Sequence, residues 1–243
     1  MKRILKSKKV KVVGSAVFVV LALTIILFFV GVRVGSFGIG VVGSVTIESE
    51  TPLATVVDNR LVRSRYADGV VTISNLTPET HEIILAPEDG SAWPWGRTLT
   101  IQSGSKTILD PVFVPKEPVT TVVTTKDPLY YKIPTLVAQN TSRIEGDSGI
   151  VHIDNGSVVR TSGDTTTTLF SGALSNVRGI VPFKNRTDTI FIAVADGVYA
   201  LDISGQMPQN FTPLYRGVSP RIASGDDRTI YVLDGTYRIS ITY

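Results

Sequence analysis

The sequence contains no cysteine and only two histidines, His81 and His152. Without cysteine the chain has no disulfide framework, no thiol chemistry and no thiolate metal site, so an exported domain depends on its packed core alone. Both histidines lie in predicted strands beside apolar neighbours, a setting in which histidine is usually structural. No G-x-S-x-G or H-E-x-x-H motif occurs. The sequence therefore predicts a protein that is not an enzyme and that holds no cofactor or metal.

Charge is missing from one long run near the N-terminus. Residues 12–32 read VVGSAVFVVLALTIILFFVGV, 21 residues without a charge, in which only Ser15 and Thr24 are polar. As a helix this run would be about 30 Å long, which is the thickness of the hydrocarbon core of a bilayer. It is longer than the apolar region of a signal peptide, and no A-x-A-like cleavage site follows it. We therefore expect an uncleaved transmembrane helix over residues 12–34.

The charges beside this run predict its orientation. Positively charged flanks stay in the cytoplasm, so residues 1–11 are expected to form a cytoplasmic tail and everything after the helix to lie outside. Seven of the 24 Lys and Arg residues lie at or before Arg33, which leaves 17 against 21 acids and a net charge of −4 for the rest. This balance predicts a lipid bilayer as partner and no nucleic acid. The basic residues before the run are Lys2, Arg3, Lys6, Lys8, Lys9 and Lys11.

Residues 35–42 are rich in glycine and are expected to form a linker. Together with Gly43 they contain a formal G-x-G-x-x-G pattern that begins at Gly38. A dinucleotide-binding fingerprint requires a strand before the glycines and a helix after them. Here the predicted membrane helix precedes the pattern and a strand follows it, so no cofactor site is predicted.

Residues 43–115 show β-strand patterns and no helical periodicity. Short alternating or β-branched runs are separated by turn residues such as Asp58-Asn59 and Ser103-Gly104. About six short strands within some 70 residues predict a small β-sandwich or an open barrel. The predicted strands are residues 44–48, 54–58, 69–74, 81–86, 97–102 and 106–113.

Three stretches of this region resemble the PEGA domain, a small β-sandwich module. Residues 43–47 resemble its opening strand, residues 52–59 its Pro-containing strand that ends in Asp-Gly, and residues 75–83 its Leu-x-Pro-Gly-x-His-x-Val stretch. Leu53, Asn59 and Glu79 stand where that pattern has glycine. The resemblance implies an extracytoplasmic binding or spacer module, and no catalytic residues come with it.

Both tryptophans of the chain, Trp93 and Trp95, fall between two predicted strands and therefore on a loop. If exposed, they would form a contact site on which a glycan or another partner stacks. If buried, at least one ring would cap the sandwich core, because tryptophan buries a large apolar area. Both interpretations stay open, and the pair is the candidate binding site of the sequence.

Residues 116–126 are rich in proline and threonine and are expected to form a stiff connector, although residues 119–125 also suit a strand of the next domain. After this connector a hairpin pattern repeats, with turn glycines at Gly156, Gly197 and Gly235, 41 and 38 residues apart. Asn-Gly and Asp-Gly favour two-residue hairpin turns, and a period near 40 is typical of β-propeller blades. Residues 127–243 thus resemble about two and a half to three blades.

A closed propeller typically has four to eight blades. We therefore expect a part of a longer propeller protein, an open array of blades, or an assembly of several chains. The turn aspartates are expected to bond nearby backbone, with calcium binding at one end of the blades as the less favoured alternative. These aspartates are Asp154, Asp196, Asp202, Asp226, Asp227 and Asp234. N-x-S/T sequences occur at Asn75, Asn140, Asn155, Asn185 and Asn210.

The sequence thus predicts an all-β ectodomain, a small β-sandwich plus β-propeller-like blades, on a single N-terminal transmembrane α-helix. The expected function is binding of a cell-surface polysaccharide or an envelope protein without catalysis, outside the cytoplasmic membrane. One alternative is an exported hydrolase or lyase whose active site lies on propeller loops, either in this chain or in a C-terminal part beyond it. Another is a structural subunit of an envelope assembly.

Overall fold

A computed structural model describes residues 32–35, 38–140, 142–146, 149–171, 176–184, 186–205, 208–226 and 228–243. The expected basic tail, with its topology residues, and residues 12–31 of the expected membrane helix lie outside this part of the chain. Among the described residues no helix combines the length and the apolar character that crossing a bilayer requires. The described part is all-β apart from one helix, as the sequence predicted for the ectodomain.

The first two strands are β1 (Val32–Gly35) and β2 (Gly38–Val41), which form an antiparallel hairpin. The sequence predicted the end of the membrane helix and a linker at these residues, so the secondary structure expected here was wrong. Valine and isoleucine, which alternate with other residues here, favour a strand.

Two four-stranded sheets follow. Sheet I contains β3 (Gly43–Glu48), β6 (Arg65–Ala67), β7 (Val70–Leu76) and β10 (Lys106–Leu109), in the order β10-β3-β7-β6. Sheet II contains β4 (Leu53–Val57), β5 (Arg60–Val62), β8 (Thr80–Pro87) and β9 (Trp95–Thr100), in the order β5-β4-β8-β9. All six predicted strands are present, each shifted by a few residues at most at its start. The short strands β5 and β6 were missed, because their largely exposed side chains leave no alternating pattern.

Side chains alternate between buried and less buried along the longer strands. In β8 the buried set includes His81, Ile83 and Leu85, while the residues between them are only partly covered. This period of two is the pattern that identified the strands, since successive side chains point to opposite faces of a sheet. The chain divides into two compact units, one of residues up to 52, 57–82 and 99–110 and one of residues 53–56, 83–98 and 111–243.

The helix α1 (Leu129–Gln139) was not predicted from the sequence. Pro128 is its N-cap residue, and Asp127, just before it, accepts a hydrogen bond of 2.8 Å from the Leu129 N–H through its Oδ1. Ile133 and Val137, one turn apart, are its buried residues. Pro134 lies inside the helix, where it removes a backbone donor, and this proline obscures the helical pattern in the sequence.

The rest of the chain forms three four-stranded antiparallel sheets. Repeat sheet 1 contains β12 (Arg143–Gly146), β13 (Gly149–Asp154), β14 (Ser157–Ser162) and β15 (Thr165–Phe170). Repeat sheet 2 contains β16 (Gly179–Pro182), β17 (Thr189–Val194), β18 (Gly197–Asp202) and β19 (Phe211–Arg216). Repeat sheet 3 contains β20 (Arg221–Ser224), β21 (Thr229–Asp234), β22 (Tyr237–Thr242) and, paired to β22, β11 (Val119–Val122). The central hairpins start at residues 149, 189 and 229, so the repeat has a period of 40 residues.

The position of each central hairpin turn in the repeat sheets is set by the pairing of its two strands and not by the position of the glycine. Among the central hairpins of the three repeat sheets, only the turn Asn155-Gly156 has both turn residues at positive φ, 47° and 76°, as an Asn-Gly turn should. In repeat sheet 2 Val194 pairs with Gly197, so the turn is Ala195-Asp196 and not the expected Asp196-Gly197. The turn therefore lies where the β17–β18 pairing places it, one residue before the position expected from Gly197.

The three repeat sheets stack on one another, with repeat sheet 2 in the middle. Phe191 and Ala193 pack against Ile230 and Val232 of repeat sheet 3. On its other face repeat sheet 2 packs against repeat sheet 1, where Ile190, Ile192 and Leu201 contact Val151 and Val158. Helix α1 covers the remaining face of repeat sheet 3, where Ile133 and Val137 pack against Tyr231 and Ala223. The order is thus sheet 1, sheet 2, sheet 3, helix.

The expected connector at residues 116–126 includes the last strand of repeat sheet 3. Val119 of β11 pairs with Thr242 and Val122 with Ile239. Val114, before the strand, is buried on the face towards repeat sheet 2, and Val123, after it, on the face towards the helix. This segment therefore passes around the outer edge of repeat sheet 3 and is held on both faces, instead of spanning open space.

Candidate functional site

Strands β12, β16 and β20 each form one edge of their repeat sheet, and neighbouring ones contact each other. We call them the inner strands. Asn140, directly after α1, fixes two of these strands, because its carboxamide donates to the carbonyl oxygens of Ile180 (3.2 Å) and Ile222 (2.8 Å). Its Oδ1 accepts the N–H of Ser142 at 3.2 Å.

Beside Asn140 the inner strands and the end of α1 surround an open cleft of about 300 Å³. Its lining is mainly apolar, and neither an acid nor a histidine belongs to it. Arg143 is its one charged residue, and the guanidinium is bonded to Glu145 Oε1 at 3.2 Å. Such a surface suits a ligand held by shape and a few hydrogen bonds. The lining residues are Leu136, Gln139, Asn140, Arg143, Ile144, Ile180, Val181, Pro182, Ala223 and Ser224.

Sequence reasoning missed this cleft, although a pattern pointed to it. Each inner strand carries an isoleucine near its start, at Ile144, Ile180 and Ile222, and an arginine stands just before or one residue further back in each case. This short arginine–isoleucine repeat was overlooked because the repeat of the longer β-hairpins is much more conspicuous. The contribution of Asn140 depends on the unpredicted helix α1, so it could not be found in advance.

The two tryptophans of the sequence prediction have different surroundings. Trp95 is buried, with 3 % of its surface exposed, and the Arg97 guanidinium lies 4.9 Å from its ring centre. Trp93 is 36 % exposed, and Lys116 Nζ lies 5.7 Å from its ring centre. The structure therefore leaves only Trp93 accessible to a ligand, while Trp95 belongs to a packed and hydrogen-bonded environment.

Arg97 joins the start of β9 to repeat sheet 2. Its Nη2 donates to Asp202 Oδ2 at 3.1 Å and to the Ser204 hydroxyl at 3.3 Å. The carboxamide of Asn210 exchanges two hydrogen bonds with the Gly96 backbone, of 2.8 and 2.9 Å. Asn210 also donates to Asp202 Oδ2 at 3.3 Å. These bonds lie within the second compact unit, which contains both residues 83–98 and the repeat sheets.

The hydrogen bonds of Asn140 and Asn210 also limit which of the N-x-S/T sequences can carry a glycan without loss of structure. The carboxamide N–H groups of Asn140 and Asn210 are engaged in the bonds described above, so a glycan on either nitrogen would break them. Asn75 and Asn155 are exposed and lie at positive φ, 63° and 47°. Asn185 lies outside the described residues.

The turn aspartates bind side chains more than their own backbone. Asp196 Oδ2 accepts from the Tyr199 hydroxyl and from Arg216, both at 2.9 Å. Asp234 Oδ2 accepts from the Tyr215 hydroxyl at 2.9 Å and from the Val218 N–H at 3.0 Å. Burial and the Asp234 carboxylate raise the pKa of Tyr215 to about 12. Among the residues that the structure describes, no group of three or more acids and histidines could hold a metal ion.

His81 lies in a separate buried network. Its Nδ1 is 2.7 Å from Asp58 Oδ2 and its Nε2 is 2.9 Å from the Thr77 carbonyl oxygen. Burial alone would lower the pKa of His81, but the Asp58 and Thr77 hydrogen bonds and the charges of Asp58 and Glu79 raise it above 6.5. The pair links the turn after β4 to the start of β8, so its role here is structural.

The chain matches no protein-family model, and no curated protein is significantly similar to it.

Replacing Asp202 with alanine should destabilise the protein. The side chains of Asp202 and Arg97 are only 5 % and 15 % exposed, so the variant leaves a largely buried guanidinium unpaired. Loss of one partner of such a pair typically costs about 3–5 kcal/mol. Chemical denaturation measures this loss. The control is Glu145→Gln, which breaks a pair whose acid is 75 % exposed and should cost about 0–1 kcal/mol. Equal effects of the two variants would contradict the assignment.

The raised pKa of His81 predicts that stability falls as the pH rises. The folded protein holds the His81 proton more tightly than the unfolded chain, so the stabilisation is complete below pH 6.5 and is lost as the pH passes the folded-state pKa. Denaturation between pH 5.5 and 8.5 measures the slope. Asp58→Asn removes the main group that raises the pKa and should flatten the profile. A wild-type profile that rises over this range would refute the prediction.

Proposed function

We propose that the protein is a single-pass, membrane-anchored binding protein that displays its β-sheets outside the cytoplasmic membrane and carries out no chemistry. The sheets then correspond to a PEGA-like sandwich followed by three propeller-like blades in an open stack. One observation supports this proposal more strongly than the others. The inner strands of the three repeat sheets surround an open cleft whose lining contains no acid, no histidine and one paired arginine.

The use of the acidic residues elsewhere supports a role without catalysis. General acid–base chemistry needs a titratable group within hydrogen-bond reach of a substrate. Asp196, Asp202 and Asp234 instead bond tyrosine, arginine and asparagine side chains that fasten strands together. These three aspartates thus stabilise the stack, which supports binding over the alternative of a hydrolase or lyase.

The PEGA-like interpretation is supported by local geometry. Asn59, at a position where the family pattern has glycine, adopts a φ of 62°, a conformation that asparagine tolerates better than most residues. Leu53, at another such position, begins strand β4 and is buried, so the chain departs from the pattern there.

The partner we propose is a cell-surface polysaccharide or an envelope protein. Trp93 supplies a half-exposed aromatic ring beside the cation of Lys116, and sugar rings stack on such surfaces. The apolar cleft, in contrast, suits a protein segment better, because no aromatic residue lines it. A structural subunit of an envelope assembly remains the alternative that uses the same surfaces.

The absence of cysteine makes the topology directly testable. We expect Asp164→Cys, at an exposed turn, to react with a membrane-impermeant maleimide in intact cells. Ser7→Cys, in the expected cytoplasmic tail, should react only after permeabilisation, and the wild type supplies an unreactive background. Labelling of Asp164→Cys only after lysis, or release of the protein by carbonate, would overturn the proposed anchoring.

The contribution of Trp93 can be measured by retention on immobilised cell-surface polysaccharide from the source organism. Replacing Trp93 with alanine should weaken retention about 2–10-fold, as expected when a stacking contact of about 0.5–1.5 kcal/mol is lost. The matched control is Tyr237→Ala, which removes another exposed aromatic ring, 65 % exposed, from repeat sheet 3. Equal retention of the two variants would remove Trp93 from the site, and retention of neither wild type nor control would leave envelope protein as the partner.

A further inference from the structure

The outer edge of repeat sheet 3 is formed by β11, which pairs with β22 on one side only. All four of its side chains are exposed, and two of them are apolar, with Val119 68 % and Val122 57 % exposed. Valine and threonine, its only residue types, both favour extended strands. The strand therefore contributes little to the core and presents an uncharged, β-branched surface to its surroundings.

The hydrogen bonds to β22 determine which backbone groups of β11 face outwards. The Val123 N–H donates to the Arg238 carbonyl oxygen at 2.8 Å, so Val123 faces β22. In an antiparallel pair, alternate residues point their N–H and C=O groups to the same side. Val119 and Thr121 therefore also bond towards β22. Thr120 and Val122 point their backbone donors and acceptors away from the sheet, in the arrangement that another strand would meet.

The other two outer edges carry features that discourage pairing, whereas β11 does not. In repeat sheet 2 the outer strand β19 contains Pro213 and has a register shift against β18. In repeat sheet 1 the outer strand β15 also has a register shift against its neighbour. Proline, charge and bulges are the usual protection of an edge strand. The four residues of β11 pair with β22 in continuous register and include no proline or charged residue.

Strand β11 is also held in an extended conformation before any partner binds. Val114 is buried on one face of repeat sheet 3, and Val123 is buried on the other. These two side chains fix the chain before and after β11, so a partner strand would not have to order a mobile segment. A preformed edge avoids part of the entropic cost of association.

From this edge we infer that two copies of the protein associate through β11, antiparallel, with a two-fold axis at Thr121. Thr120 of each copy then faces Val122 of the other and exchanges both backbone hydrogen bonds with it. Thr121 faces its own equivalent, and Val119 faces Val123. Each opposed pair within the strand is uncharged, and the two sheets join into one continuous sheet of eight strands.

A second copy is the occupant that the edge itself specifies. Residues whose backbone faces outwards must meet residues that also face outwards, and the axis at Thr121 satisfies this for Thr120 and Val122 of both copies. The same axis places each exposed valine opposite an uncharged side chain. A four-residue edge buries much less than the roughly 1,200 Å² of a stable interface, so the pairing is weak between dilute molecules. The inference rests on the proposed anchoring for this point, because confinement to one membrane raises the effective concentration.

The test uses the full chain and its lack of cysteine. Directly opposed residues across antiparallel strands have Cβ atoms about 4.5–5.5 Å apart, close to the distance that a disulfide spans. Thr121→Cys in membranes should therefore form an inter-chain disulfide under mild oxidation. The matched control is Thr165→Cys, on the exposed outer strand of repeat sheet 1, and it should cross-link at least tenfold less.

A second variant separates pairing from folding. Val122→Pro, added to Thr121→Cys, removes an outward N–H that repeat sheet 3 does not use, so thermal stability should be kept while cross-linking is lost. Equal cross-linking of Thr121→Cys and Thr165→Cys would indicate random collision and overturn the inference. So would a disulfide from Thr121→Cys to a different protein, or none at all in either membranes or concentrated detergent solution. Specific cross-linking in detergent by a protein that carbonate releases from membranes would sustain the inference and refute only the anchoring.

Discussion

Two-sided burial of repeat sheet 2 is the constraint on which the second compact unit depends. Every residue of β17 and β18 is buried, including those at alternate positions that face opposite ways. A sheet that is apolar on both faces needs a layer on each side, and the neighbouring repeat sheets supply them. Repeat sheet 3 meets the same requirement on one face with repeat sheet 2 and on the other with helix α1. Helix α1 thus covers the face of repeat sheet 3 that points away from repeat sheet 2.

The hairpin repeat was predictable because burial and turn chemistry agree along most of it. Alternating apolar residues beside Asn155-Gly156 specify both the strands and the turn. Helix α1 was not predictable by the same reasoning, because Pro134 interrupts its pattern and its apolar face is narrow. The place of β11 in repeat sheet 3 depends on a pairing with residues about 120 positions further along the chain, and local sequence carries no information on such pairings.

The candidate site was predictable only in part. Tryptophan between two strands indicated a surface or core role, and the sequence contained no information to assign Trp95 to the core and Trp93 to the surface. That difference comes from Arg97, which meets Asp202 and Asn210, more than 100 positions further along the chain, only in the folded protein. The cleft beside Asn140 likewise depends on three inner strands and one helix end. A site that is assembled from distant segments is difficult to recognise from any local stretch of the sequence.

The same account explains how polar residues are used. Carboxylates at the ends of the hairpins bond tyrosine and arginine side chains and thereby stabilise the stack. The cleft, whose one charged residue is the paired Arg143, and the uncharged edge strand β11 stay available for partners. Native-state hydrogen exchange tests the central role of repeat sheet 2 most directly, since amides of the most stable elements exchange only through global unfolding. The account predicts the slowest exchange in β17 and β18 and much faster exchange in β15. Equal protection of all three strands, or the greatest protection in repeat sheet 1, would contradict it.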